Sequence, residues 1–337
     1  MRQILTILWD SYRLLAAKKL FWVALGISIF LALVYASISI ESEEVSLFFG
    51  LTSFELGEMF ALDDEVAHFL YLSIFANIFV PFWLGGMAIA LGLISVCSVF
   101  PNFMQSGSID VAVSKPIKRI TLFFTKYLGS LFFVGIQVVV FCVIVFFAIG
   151  LRTGEWVFGV FSAVWLILFA FSLIYSVAVL TAVWTRSTLL SLLMAFIVWG
   201  VSWGIQFAES KMYEMTYGMA KLGIEMNMED GTSEITGEEK EPDSGMVRFH
   251  RWLKTASAPL PKSREVTYLV QREIVIKGKD LTQFGDTESL DPISRLKVEA
   301  QREHANRNSK MFIIGTSLGF ELVVLGFACF IFVRRDY

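Results

Sequence analysis

Apolar residues in this chain come in long blocks, and polar residues gather between them. The blocks run over 20–40, 69–99, 121–150, 156–183, 189–208 and 311–333. Each is about 20 residues or longer, enough for an α-helix to cross a hydrocarbon layer of about 30 Å. The pattern predicts six membrane helices. Phe21 and Trp22 open the first block, and Trp199 and Trp203 lie toward the end of the fifth. Aromatic rings favour those interfacial depths. Pro81, Gly85, Gly86 and Gly92 sit within the second block. Such residues are tolerated where neighbouring helices satisfy the freed backbone groups and profit from close approach.

Before the first block, Ile4, Leu5, Leu8, Tyr12 and Leu15 share one helical face, while Arg2, Asp10, Arg13 and Lys18 lie largely elsewhere. That spacing predicts an amphipathic helix over 1–19, lying in the interface plane. The alternative is a plain extension of the first span. The expected fold is therefore an all-α integral membrane protein with an N-terminal interfacial helix and six transmembrane helices.

The polar connections differ in kind. Residues 41–68 hold eight acidic residues and no Lys or Arg, together with Leu47, Phe48, Phe49, Leu51, Phe54, Leu56 and Phe60. This mixture predicts a short helix or re-entrant turn on the membrane surface. Residues 151–155 and 184–188 are tight turns. Residues 209–310 form a large polar connection with an acidic, turn-rich middle (227–245). Within it, a helix is expected from Arg248, broken by Pro259 and Pro261. Residues 266–276 are amphipathic and fit a helix or a strand, with the helix preferred, and a polar helix is expected over 292–310. Three units follow: 1–208 in the membrane, 209–310 outside it, and 311–337 as the last span with its tail.

Charge orients the bundle. Leaving out the long connection, Arg2, Arg13, Lys18, Lys19, Lys115, Lys118, Arg119, Lys126, Arg186, Arg334 and Arg335 fall on one side, and Arg152 alone on the other. Basic residues near spans mark the cytoplasmic face. Both termini are then cytoplasmic, and 41–68 and 209–310 are not. The composition, 55% hydrophobic and 18% charged, excludes an ordinary soluble domain. Cys97, Cys142 and Cys329 all lie in apolar blocks, which argues against a disulfide framework or zinc site.

Classical catalytic motifs are missing. There is no GxxxxGK[ST], HExxH or GxSxG in a fitting context, so no enzyme activity and no cofactor of this chain's own is expected. No metal site is expected either. Met212, Met215 and Met219 repeat at helical spacing, and a lipid-facing stripe competes there with soft-metal ligation. Three polar residues stand inside apolar blocks: Asn77, Gln137 and Glu321. A carboxyl group that deep is expensive unless partnered, so Glu321 is expected to face the bundle interior. It is either a substrate-path or gating residue, or a structural carboxyl at a helix interface. Asn77 and Gln137 read as interhelical hydrogen-bonding groups.

The connection between the second and third spans carries the most specific pattern. Gly107, Ser108, Ile109 and Asp110 are followed by Ser114, Lys115, Pro116, Ile117 and Arg119, then by Lys126, Tyr127 and Leu128. This run resembles the membrane subunits of ABC transporters of the type-2 exporter-like class. Gln105 and Thr125 depart from that pattern, standing where a carboxylate and a glycine are usual. The large fifth connection, with its 257–262 run SAPLPK, is similar to the subgroup associated with multicopper-enzyme maturation. The resemblance implies a cytoplasmic coupling helix between spans two and three, presented to a groove on a separate ABC ATPase subunit. Phe103, Gln105, Ser106, Gly107, Ser108, Ile109, Asp110, Lys115, Pro116 and Arg119 would form that contact. ATP and Mg would sit on the partner. It further implies a homodimer in the plasma (inner) membrane of a prokaryote, with no nucleic-acid partner. Two rival readings stand beside it. One is a proton-coupled secondary transporter using Glu321. The other is a non-transporting membrane assembly factor acting through 209–310.

Overall fold

The computed structural model describes residues 19–40, 44–48, 50–55, 64–104, 118–218, 224–226, 233–235, 244–273, 275–276, 279–280 and 308–335. The expected interfacial helix over 1–18, the 105–117 part of the expected coupling helix and most of the expected 292–310 helix lie outside them.

Among the described residues, six helices are long and apolar enough to cross a membrane, which suggests a multi-pass membrane protein. The first is α1 (Lys19–Ala36). The second is composite: α2 (Asp64–Ile74), a π-helical stretch (Phe75–Ala88), α3 (Ile89–Val96) and α4 (Val99–Phe103). Pro81 stands inside the π-helical stretch. Its ring removes one backbone N–H and crowds the preceding turn, which loosens the usual i to i−4 ladder. Then come α5 (Arg119–Thr153), α6 (Ser162–Thr185) and α7 (Thr188–Tyr213), the last running on into a π-helical turn (Glu214–Gly218). Helices α8 (Ser244–Ser257) and α9 (Ser263–Glu273) follow, and α10 (Lys310–Arg334) is the sixth span.

Local chemistry explains the ends. Ser187 and Ser309 cap α7 and α10 by accepting from Leu190 N and Phe312 N. Gly154 closes α5 in the left-handed region (φ 71°), where a side chain would be strained.

Two expectations are corrected. The first connection is sheet, not helix, over its described residues up to Glu55, and becomes helical only at Asp64 where α2 begins: β1 (Ser39–Ile40), β2 (Glu44–Leu47) and β3 (Thr52–Glu55) form an antiparallel sheet. Val45 pairs with Phe54 and Ser46 with Ser53, and the chain turns through Phe48 (φ 54°) and Gly50 (φ 88°). β-Branched and aromatic residues flanking a glycine turn favour a hairpin over a helix. Two further strand pairs, β4 (Ile224–Met226) with β5 (Ser233–Ile235) and β6 (Val275–Ile276) with β7 (Lys279–Asp280), also lie outside the spans. The chain is all-α only in its spans. The second correction is β6 itself, which ends α9 at Glu273 rather than at Ile276.

The bundle is built around α6. Of its most apolar window, 78% is buried, against 17% for α7. Lipid can cover an apolar helix as well as other helices can, so it is this burial rather than apolarity that marks α6 as the central helix. One apolar cluster joins Phe100, Phe123, Tyr127, Tyr175 and Phe332; a second joins Tyr35, Tyr71, Phe141, Val145 and Val160. Small residues set the spacing: a Cβ on Gly92 would lie 3.1 Å from both Phe171 and Val134.

Helix α9 belongs to this core. Val266, Leu269 and Val270 are fully buried and complete the two clusters. Thr267 packs so closely on the second span that a Cβ on Gly85 would lie 2.6 Å from its Cγ2. The Pro261 carbonyl just before α9 accepts from Ser202 Oγ (2.6 Å) and Gln206 Nε2 (2.9 Å) of α7. Helix α9, from the polar connection between the fifth and sixth spans, therefore packs directly against the bundle.

Candidate functional site

One group of buried polar side chains lies where α5, α6 and α10 meet. Glu321 projects from the middle of α10 and is buried. Tyr127 Oη, on α5, donates to Glu321 Oε1 at 2.7 Å and also approaches the Ser172 carbonyl of α6 at 3.2 Å. Tyr127 stacks on Tyr175 (5.4 Å between centroids), which stacks in turn on Phe171. Tyr175 Oη donates to Ser130 Oγ at 2.9 Å. Ser317 lies one turn before Glu321 and is also buried, and its hydroxyl has no hydrogen-bond partner among the described residues. The result is a carboxyl group, two phenols and several hydroxyls in an apolar surround. Such a group can hold or pass a proton, or accept from a polar cargo.

Gln137 sits elsewhere. Its Nε2 donates to Ser28 Oγ at 2.9 Å and ties α5 to α1, the interhelical bond expected from the sequence. Asn77 is on the exposed face of the π-helical stretch, beside exposed Ile78, and is not part of the cluster. The three intramembrane polar residues therefore do not form one path.

The 100–126 stretch is described only at its two ends. Gln105, Ser106, Gly107, Ser108, Ile109, Asp110, Lys115 and Pro116 lie outside the described residues. Phe103 closes α4 and stacks on Phe332 of α10 (6.3 Å), with Lys126 Nζ 5.4 Å from its ring centre. Arg119 opens α5, and its Nη1 donates to the Val333 and Arg335 carbonyls, both at 3.0 Å. Arg335 Nη1 donates in turn to Val183 (2.6 Å) and Trp184 (3.0 Å) at the end of α6. Each guanidinium occupies a helix C-terminus, where unpaired carbonyls and the helix dipole favour a cation. Both ends of the stretch are thereby fastened to α10, the helix that carries Glu321.

Sequence reasoning missed the partners of Glu321. Tyr127 was noticed only as a member of the Lys126-Tyr127-Leu128 run, and Tyr175, Ser130 and Ser172 were absorbed into apolar blocks. Their signal was phenol and hydroxyl groups at helical spacing within spans, which hydropathy averages away. No family model, curated protein or solved structure matches this chain.

Proposed function

We propose that this chain is the membrane-spanning permease subunit of an ATP-driven transporter of the ABC type-2 exporter-like class, working with a separate ATPase. The observation that carries the reading is mechanical. The polar stretch with the Gly107–Arg119 pattern is anchored at Phe103 and Arg119 to the end of α10. A push on that stretch would move α10 as a unit, because packed helices shift as rigid bodies. Glu321, lodged between α5 and α6, would then change partners. The chain has no Walker-type loop of its own, so the push would come from a partner.

The test is capture of the tagged full chain from its native membrane. It is expected to bring down an ATPase bearing a Walker-type loop, and deletion of 106–114 is expected to release it. Capture of no such ATPase, or capture unchanged by the deletion, ends the reading.

A second reading, proton-coupled transport, is favoured by the Tyr127–Glu321 hydrogen bond in a buried site. Vesicle transport separates the two. Collapse of the proton gradient with ATP intact should leave an ATP-driven permease working and stop a proton-coupled one.

A further inference from the structure

At the end of the bundle away from the C-terminus lies a cleft that neither the Glu321 cluster nor the 100–126 stretch uses. Its volume is about 370 Å³, and it is lined by Tyr213, Tyr217, Val247, His250, Arg251 and Lys254. That size suits a small polar ligand. Sequence spacing builds it: Val247, His250, Arg251 and Lys254 stand at i, i+3, i+4 and i+7 on α8, and Tyr213 and Tyr217 at i and i+4 where α7 runs on.

The floor is fixed and the rim is basic. His250 is buried, with Nε2 3.0 Å from Glu209 Oε1, and its ring packs on Tyr213 (5.6 Å) and Tyr217 (5.7 Å). Lys211 is engaged by Glu214 at 2.8 Å. Arg251 and Lys254 are exposed and make no ion pair among the described residues.

Depth identifies the setting. About 20 helical residues cross the hydrocarbon layer. Counting from Thr188, the segment from Glu209 to Tyr217 lies just beyond it, among lipid headgroups. Phe249 and Trp252 stack on each other (6.0 Å) and stay exposed on another face of α8, as interfacial anchors do.

We propose that this cleft binds a phosphate group, with Arg251 as forked donor, Lys254 as point charge and the two tyrosines as wall and hydroxyl donors. A phospholipid phosphodiester and free phosphate share that chemistry, and the depth favours an anionic phospholipid headgroup.

The test uses the purified full chain in detergent and follows thermal unfolding with short-chain phosphatidylglycerol, short-chain phosphatidylcholine or inorganic phosphate. Phosphatidylglycerol is expected to raise the midpoint, and R251Q/K254Q to weaken its apparent affinity by about tenfold or more. R248Q, which alters an exposed α8 charge outside the cleft, is expected to behave as wild type. If the double variant does not unfold cooperatively, R251Q and K254Q singly give the same readout. A shift from inorganic phosphate alone, lost in the variant, upholds the site with free phosphate as its source. An equal shift with phosphatidylcholine that the variants also lose upholds the phosphate site without a preference for an anionic headgroup, and a shift that the variants leave unchanged overturns the proposal.

Discussion

The Tyr127–Glu321 hydrogen bond joins two helices across a buried interface, and its two partners have separable roles. Tyr127→Phe keeps the ring that stacks on Tyr175 and removes only the donor. Hydrogen bonds between membrane helices average about 0.6 kcal/mol and reach about 1.7. A loss near the upper figure is expected here, measured by denaturant titration in micelles, because the carboxyl group has few other partners in its apolar surround. Glu321→Gln keeps an acceptor oxygen and the shape while removing the ionisable group, so stability should fall less than in Tyr127→Phe. Its effect on transport then decides the role: full activity marks a structural carboxyl, and loss of activity with the fold intact marks a working one. Glu321 was legible in the sequence because one acid in an apolar block is conspicuous. Tyr127 was not, since a tyrosine is unremarkable in a membrane helix and only the packing of α5 on α10 gives it a partner.

Helix ends and close crossings decide how the elements are held. Arg119 covers the last carbonyls of α10, and Arg335 those of α6. Arg119→Ala is expected to cost about 1–2 kcal/mol, since two charge-assisted bonds and a favourable dipole contact go together. Arg119→Lys should restore only part, because an ammonium lacks the planar fork that spans two carbonyls. Thermal unfolding of the three proteins checks the order. The α9 crossing makes a sharper case. Gly85→Ala places a Cβ 2.6 Å from Thr267 Cγ2, and a β-branched side chain cannot swing clear. A loss of about 1–3 kcal/mol is expected from such overpacking. Thr267→Ala removes both atoms nearest that Cβ, so the Gly85→Ala/Thr267→Ala pair should recover much of it in a double-mutant cycle. A strictly additive pair would mean that α9 does not seat on Gly85. The sequence showed that α9 had an apolar face, through Val266, Leu269 and Val270. A periodic pattern says that a face must be covered and not by what, so the packing of this helix on the second, fourth, fifth and sixth spans was invisible until the fold supplied them. The β1–β3 sheet escaped for a related reason: its apolar residues suited a surface helix as well as a hairpin, and the turn at Phe48–Gly50 chose between them.

At the scale of the molecule, hydropathy made the six spans legible because each must be long enough to cross the membrane, and their ends moved by only a few residues in the structure except at the fifth, which runs on from 208 to Tyr217. Orientation has a different source. It rests on eleven basic residues near one set of span ends against Arg152 on the other, and no helix packing encodes it. The structure nevertheless fixes a relation that labelling can test. Leu51, in the β2–β3 turn, and Thr185, at the end of α6, are exposed and separated by three candidate spans, so they face opposite sides, whatever the orientation, when all three cross. In a background with Cys97, Cys142 and Cys329 replaced by alanine, Leu51→Cys is expected to react with an impermeant maleimide added to intact cells. Thr185→Cys is expected to react only after permeabilisation. The reverse result would invert the bundle and put the Phe103–Arg119 connection outside the cell, where no ATPase could reach it. Labelling of both from one side would mean that one of the second, third and fourth helices does not cross. The charge bias carries the expected outcome: lysine and arginine close to a span resist translocation, and the C-terminal half of the polar stretch, leading into the third span, holds Lys115, Lys118, Arg119 and Lys126 within a dozen residues of one another.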